Sequence, residues 1–220
     1  MWFMILTRRA ASDAVGGLGW RFLLGSLRTS VVIGSLGQGA DVIARSVAVC
    51  GDDADGHLVA DLRATRVTLG LRSPGGVTGR DVDLAGRISA VATGLGLATT
   101  PDVQLIEIGI DALDIGAVRP FWAAVLGYTD VDGDLYDPAG RGPAVWFQQM
   151  DEPRPQRNRI HLDVAVPHDE APARVRAALD AGGVMVNDGF ARAFWVLADV
   201  EGNEVCVCTW QDREPAGDTA

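Results

Sequence analysis

The sequence predicts an α+β protein built as two units, and three observations carry that prediction. A strand–turn–helix segment, QLIEIGIDALDIGAVRPFWAAVLGY at Gln104–Tyr128, returns as RIHLDVAVPHDEAPARVRAALDAGGVMV at Arg159–Val186. Each copy is followed by about three short strand-like runs, which gives a paired βαβββ arrangement, close to the smallest unit that can form half a barrel. The chain before the repeat reads helix, strands, helix, strands, helix, the order of a sheet with helices on one face. The break falls in the short polar stretch Ala98–Asp102, which holds Pro101. The predicted division is therefore 1–100, 101–212 and a polar, flexible tail at 213–220.

In the first unit, Thr7–Leu18 is a helix candidate closed by Gly16, Gly17 and Gly19. Trp20–Leu27 and Ser30–Ile33 are strand-like, and Ser35 can cap a helix that turns Leu36, Ala40, Ile43, Ala44 and Val47 inward. Gly51–Gly56 is an acidic turn. His57–Leu62 and Arg66–Leu71 are two strands around a tight connection. In the second, Val67, Leu69 and Leu71 face one way and Thr68, Gly70 and Arg72 the other. Ser73–Val77 is a Gly- and Pro-containing turn, and Thr78 is an N-cap for a helix through Leu95 with Val82, Leu84, Ala85, Ile88 and Val91 inward.

In the second unit, Val103–Ile110 alternates as a strand, Asp114 caps a helix on which Val118, Phe121, Trp122 and Val125 recur at helical spacing, and Gly127 ends it. The later strands are Thr129–Val131, Asp134–Asp137 and Pro143–Met150. Asp151–Asn158, rich in Pro and charge, links the copies. The second copy runs through strand Ile160–Val166, helix Ala171–Ala181, and strands Val184–Asp188, Ala191–Ala198 and Glu204–Trp210.

Composition limits what such a protein does. At 220 residues, 48% hydrophobic and 22% charged, each half can bury its own core. The net charge of −10 gives no basic face to neutralise phosphates, so a nucleic-acid partner is not expected. Every basic residue is Arg, which reads as coding bias. No run reaches the roughly 18 apolar residues of a membrane span, and MWFMILTRR puts its charge after its apolar run, unlike a signal peptide. A cytoplasmic protein without membrane partners is expected. Cys50, Cys206 and Cys208 fit that compartment, since two Cys two apart on one strand share a face and are poorly placed to bridge.

Laid over each other with helices matched, the copies put Phe121 on Val175 and Glu107 on His161. A carboxylate and an imidazole at equivalent strand positions can hold a metal or act as acid and base. A divalent ion wants more ligands than two. The last strands offer PAVWFQQM and NEVCVCTW, where Phe147 cannot ligate and Cys206 can as thiolate. A metal, if bound, would take Glu107, His161 and Cys206. The other reading makes His161 a hydrogen-bonded wall of an organic pocket, Glu107 a partner of Arg157 or Arg159, and Cys206 a small hydrophobe. Trp146 and Gln148 divide evenly between core and the aromatic and amide wall of a ligand site. His57 is either a solvated strand end or a functional imidazole. Asp81 is either a helix-dipole charge or an acid.

FWAAVLGY at 121–128, NRIHLDVAVP at 158–167 and ADVEGNEVCV at 198–207 occur in order, and on them the second unit resembles the vicinal-oxygen-chelate superfamily, in its glyoxalase-like and bleomycin-resistance-like branch. The resemblance implies four metal positions on first and last strands. Glu107 and His161 fall on two of them, and by motif count Phe147 and Cys206 on the others. It also implies a small-molecule ligand without a required cofactor, because members of this branch often lack a metal.

Trp20 together with GSLGQGADVIARSVAV at 34–49, GHLVADLRATRVTLGLRS at 56–73 and GGVTGRDVDLAGRISAVA at 75–92 is similar to pterin-4a-carbinolamine dehydratases. That family's His-His-Pro triplet reads Gly56-His57-Leu58 here, and its Thr-His pair reads Ser73-Pro74, which leaves His57 and the helix-start acid Asp81 as the implied catalytic pair. The combined expectation is binding or turnover of a small organic molecule in the second unit, through His161 in a lyase- or isomerase-type reaction if it is an enzyme. Residual 4a-hydroxytetrahydrobiopterin dehydration in the first unit is one alternative. Resistance-type sequestration is the other, with the first unit as an oligomerisation module in a homo-oligomer.

Overall fold

The structure, a computed structural model, describes residues 4–153, 161–166, 168–209 and 211–212. Arg157, Arg159, Trp210, residues 154–158 of the expected linker and the expected tail at 213–220 lie outside the described residues. The chain divides into two compact units after Leu105. Among the described residues, no helix is long and apolar enough to cross a membrane.

In the first unit the order is α1 (Arg8–Val15), β1 (Arg21–Leu23), β2 (Ser26–Val32), α2 (Leu36–Cys50), α3 (Ala54–His57), β3 (Leu58–Arg63), β4 (Arg66–Leu71), α4 (Gly79–Gly94) and β5 (Thr99–Thr100). The sheet runs β1-β2-β4-β3, with β5 also pairing to β2, and each pairing is antiparallel. Leu27, Val31, Val67, Leu69 and Leu71 pack with Leu84, Ala85 and Ile88 of α4 and with Trp20 in one core. The strand expected over Trp20–Leu27 is a hairpin instead. Leu24 and Gly25 both take positive φ, which is the turn a two-residue hairpin needs.

The predicted inward stripe of α2 is a correction. Leu36 is 56% and Val47 44% exposed, whereas Gly39, Val42, Ser46 and Cys50 face the sheet. Gly39 explains the rotation: a Cβ there would stand 2.3 Å from Leu62 and 2.6 Å from Ile33. The helix approaches the strands through its smallest residue, and close approach outweighs the larger apolar stripe.

In the second unit the order is β6 (Glu107–Ala112), α5 (Ile115–Leu126), β7 (Thr129–Val131), β8 (Asp134–Tyr136), β9 (Ala144–Gln149), β10 (Leu162–Ala165), α6 (Ala171–Asp180), β11 (Val184–Asn187), β12 (Phe194–Ala198) and β13 (Glu204–Cys208). The repeat appears as two four-stranded sheets of matching order, β6-β9-β8-β7 and β10-β13-β12-β11. In each, the first and last strands of the copy pair in parallel. Ile110, Val145, Leu197, Val205 and Val207 share one core with Phe121 and Val125 of α5 and Val175 and Ala178 of α6.

Polar ties join the copies. Asp199, buried between β12 and β13, accepts the Trp122 indole N–H from α5 at 2.9 Å, the Glu201 and Asn203 backbone N–H groups at 3.0 and 2.9 Å, and the Asn203 amide at 2.8 Å. The Glu201 carboxylate accepts the backbone N–H of Leu113 at 2.8 Å and of Asp114 at 2.7 Å, just before α5. Arg174 of α6 donates to the Val125 carbonyl of α5 at 3.1 Å. The first copy repeats the turn: Asp137 accepts N–H groups from Ala139, Arg141 and Gly142 at 2.8, 2.9 and 2.8 Å. Those backbone donors hold its carboxyl below the usual range.

Asp199→Ala strands the Trp122 indole and two loop N–H groups. It is expected to lower the unfolding free energy of the C-terminal unit by about 2–4 kcal/mol in urea titrations. Trp122→Phe, which keeps an apolar ring, is expected to cost about 1 kcal/mol. Equal losses would assign the tie to ring packing and not to the carboxylate.

Candidate functional site

Strand parity decides which side chains of the second unit are available. In β6 and β9, Ile108, Ile110, Val145 and Phe147 pack into the core. Glu107, Gly109, Asp111, Trp146 and Gln148 alternate with them and occupy the face without helices. The register pairs Gly109 with Trp146 and Asp111 with Gln148. In β10 and β13, Leu162, Val164, Val205 and Val207 join the core, and Asp163 pairs with Cys206 on the other face.

This register corrects one equivalence. Two residues past Glu107 stands Gly109, paired with Trp146. Two residues past His161 stands Asp163, paired with Cys206. The first-copy counterpart of Cys206 is therefore Trp146, while Phe147 points to the core, one residue out of phase.

The imidazole of His161, the carboxylate of Asp163 and the thiol of Cys206 converge, with ligand atoms all within 4.8 Å of one another. His161 Nε2 lies 3.6 Å from Asp163 Oδ1. Glu107 does not join this group among the described residues. Of the expected set Glu107, His161 and Cys206, the structure gathers the last two and replaces Glu107 with Asp163. The signal for Asp163 was present in the strand period of two from His161. Burial, then the charge of Asp163, push the Cys206 thiol up to about 11. Trp146 is exposed and its ring covers the bare Cα of Gly109; Gln148 is exposed and donates to the Gln149 carbonyl at 3.1 Å.

Imidazole nitrogen, carboxylate oxygen and thiolate sulfur form a mixed donor set suited to a borderline divalent ion such as zinc. Bonds of about 2.0–2.3 Å put tetrahedral ligand atoms roughly 3.3–3.8 Å apart, so small rotamer changes suffice. Three protein ligands leave a position open, as in metal sites that meet a substrate.

A second polar cluster lies in the first unit. Asp81 is the third residue of α4 and completes a capping box with Thr78: its Oδ2 accepts the Thr78 backbone N–H at 2.7 Å and the Thr78 hydroxyl at 3.0 Å. The Ser73 hydroxyl donates to the same oxygen at 2.7 Å. Oδ1 faces His57 Nδ1 at 2.8 Å. His57 closes the short helix α3 and does not begin a strand, and its Nε2 stands 4.0 Å from Asp53 Oδ1. Asp53 in turn accepts from Arg80 Nε at 2.7 Å. Ser73, noted in the sequence only as a departure from a family motif, is a member of the cluster.

Burial would raise the fully buried Asp81 carboxyl, but hydrogen bonds from His57, Thr78 and Ser73 outweigh it and hold the carboxyl below the usual range. A depressed carboxyl stabilises the fold above its unfolded value, about 3.9. That contribution is lost as pH falls through the lower folded value. Asp81→Asn is expected to flatten the acid limb of the stability profile below about pH 4, measured by thermal unfolding from pH 2 to 7. An unchanged acid limb would remove Asp81 as its source.

No curated protein matches the chain. Among solved structures, a transcriptional coactivator/pterin dehydratase from Brucella melitensis shares 21% identity over 40% of this chain and 99% of its own, with a TM-score of 0.37. A fosfomycin resistance protein, FosX, from Mesorhizobium loti shares 11% over 48% and 90%, with a TM-score of 0.40. A glyoxalase/bleomycin resistance protein/dioxygenase family enzyme from Burkholderia phytofirmans PsJN shares 16% over 49% and 98%, with a TM-score of 0.36. Residues 107–208, the two sheets and helices that carry the His161–Asp163–Cys206 group, match the family described as "Glyoxalase-like domain".

Proposed function

We propose that the C-terminal unit binds and turns over a small organic molecule bearing neighbouring oxygens, with His161, Asp163 and Cys206 at the centre of the site. The observation that carries this reading is their convergence on the helix-free face of β10 and β13. The glyoxalase-like match over the same residues supports a vicinal-oxygen-chelate assignment. Trp146 and Gln148 add a flat apolar surface and an amide, the mixture small-molecule sites use.

His161 is the proton-transfer group in this reading. Its side chain is 58% exposed and so open to a substrate, with Asp163 Oδ1 3.6 Å from its Nε2. A lyase- or isomerase-type reaction fits a single imidazole that removes a proton and returns it. His161, Asp163 and Cys206 would also hold a divalent metal, which when bound supplies Lewis-acid polarisation of a substrate oxygen. With its thiol pushed up to about 11, Cys206 must release a proton to become a ligand.

A second reading has its own observation. With His57 Nδ1 held at Asp81, the ring's other nitrogen, Nε2, is the one this reading assigns to proton transfer. Carbinolamine dehydration needs one proton removed from nitrogen and one delivered to the departing hydroxyl. His57 supplies this exchange in the N-terminal unit. The assay is dehydration of 4a-hydroxytetrahydrobiopterin; absence of activity in the wild type ends this reading, and activity that survives His57→Ala removes its catalyst.

For the leading reading, Zn(II) titration by calorimetry is expected to show binding that weakens at least tenfold in His161→Ala and in Cys206→Ser. It should weaken about tenfold per unit fall in pH below the thiol range, as one proton is displaced. Affinity unchanged in both variants sinks the metal arm. The organic arm is read separately, by thermal-shift screening of 2-oxo acids and 1,2-diols without metal. A stabilising compound whose effect disappears in His161→Ala supports it, and no such compound rejects it.

A further inference from the structure

The helix-free face of the N-terminal sheet carries Arg21, Arg28, Arg63, Arg66 and, just past β4, Arg72. Three of them are answered by the chain's own oxygens. Arg21 donates to the Trp20 carbonyl at 2.8 Å, Arg63 to Asp61 at 2.8 Å and Arg66 to Asp102 at 2.9 Å. Arg28 Nε donates to the neutral Ser26 hydroxyl at 2.9 Å, but among the described residues neither Arg28 nor Arg72 has a carboxylate partner.

Gly70 sets this arrangement. It pairs with Arg28 across β2 and β4, and a Cβ on it would stand 2.6 Å from a terminal nitrogen of Arg28. The guanidinium therefore lies over β4 in the space a side chain would fill. Arg72 is two residues further along the same strand direction, so two like charges come side by side. Burial, and then the Arg72 charge, hold the half-buried Arg28 guanidinium below its ordinary range.

Two neighbouring cations without an anion between them cost free energy. An oxyanion placed between two guanidinium forks removes that cost, because each fork matches a carboxylate or phosphate edge in two parallel hydrogen bonds. With a net charge of −10 the molecule as a whole repels anions, so any affinity must come from this local pair.

We propose that Arg28 and Arg72 form a binding site for a small oxyanion, the phosphate or carboxylate group of a metabolite, on the helix-free face of the N-terminal sheet. It uses side chains other than those of the neighbouring His57–Asp81 cluster, to which it is joined through the backbone, where the Arg72 N–H donates to the His57 carbonyl at 3.0 Å.

The test is a 15N–1H titration of the full chain with inorganic phosphate and, separately, succinate, each against sodium chloride at matched ionic strength. Saturable shifts of the Arg28 and Gly70 amides are expected with at least one oxyanion. Phosphate alone would mark a phosphate ester as the ligand class, and succinate alone a carboxylate. Arg72→Gln, at an exposed position, is expected to weaken binding at least tenfold, and Arg72→Lys, which keeps charge but loses the fork, several-fold. Shifts no larger than those in chloride overturn the proposal. So do equal affinities of the wild type and Arg72→Lys, the variant that decides should Arg72→Gln not fold.

Discussion

In both units helices cover only one face of each sheet. The two-residue period of a strand then divides every sheet sequence between an apolar face that the helices seal and a second face that must find other uses. In β4, Val67, Leu69 and Leu71 seal the core, while Arg66, Thr68 and Gly70 stand opposite. In β13, Val205 and Val207 seal it, while Cys206 and Cys208 do not. The candidate site residues alternate with the core, so a one-residue shift in register would bury His161 and Asp163 and expose the leucines and valines that hold the unit together.

Two buried carboxylates organise what the apolar core cannot. Asp81 satisfies the start of α4 and at the same time orients His57 through Nδ1. Asp199 ties α5 of the first copy to the β12–β13 turn of the second. Each is matched by several donors, which is the condition for a buried carboxylate to stabilise a fold. The same accounting distinguishes Arg28 and Arg72, which have no carboxylate partner among the described residues.

The duplication gives the two copies the same topology and different chemistry. Glu107 and His161 keep matched positions, yet the polar group assembles wholly within the second copy, through Asp163 and its partner Cys206. In the first copy those two places hold Gly109 and Trp146, and the ring lies over the glycine. One copy presents metal-ligating side chains and the other an aromatic ring.

By itself the sequence determined the α+β class, the repeat, and the helix caps at Ser35, Thr78 and Asp114, because these rest on period, capping and local turns. His57 and Asp81 were legible as separate residues, and their 2.8 Å contact was not, since it joins positions 24 apart. Tertiary structure alone decided the rotation of α2, where Gly39 meets the sheet, and the phase of β9, where Phe147 turns inward and Trp146 outward. It also decided that Asp163 and not Glu107 completes the group around His161 and Cys206. Each of these depends on which strand lies beside which and in what register, and that is fixed by packing between distant segments, not by the local preferences a sequence displays.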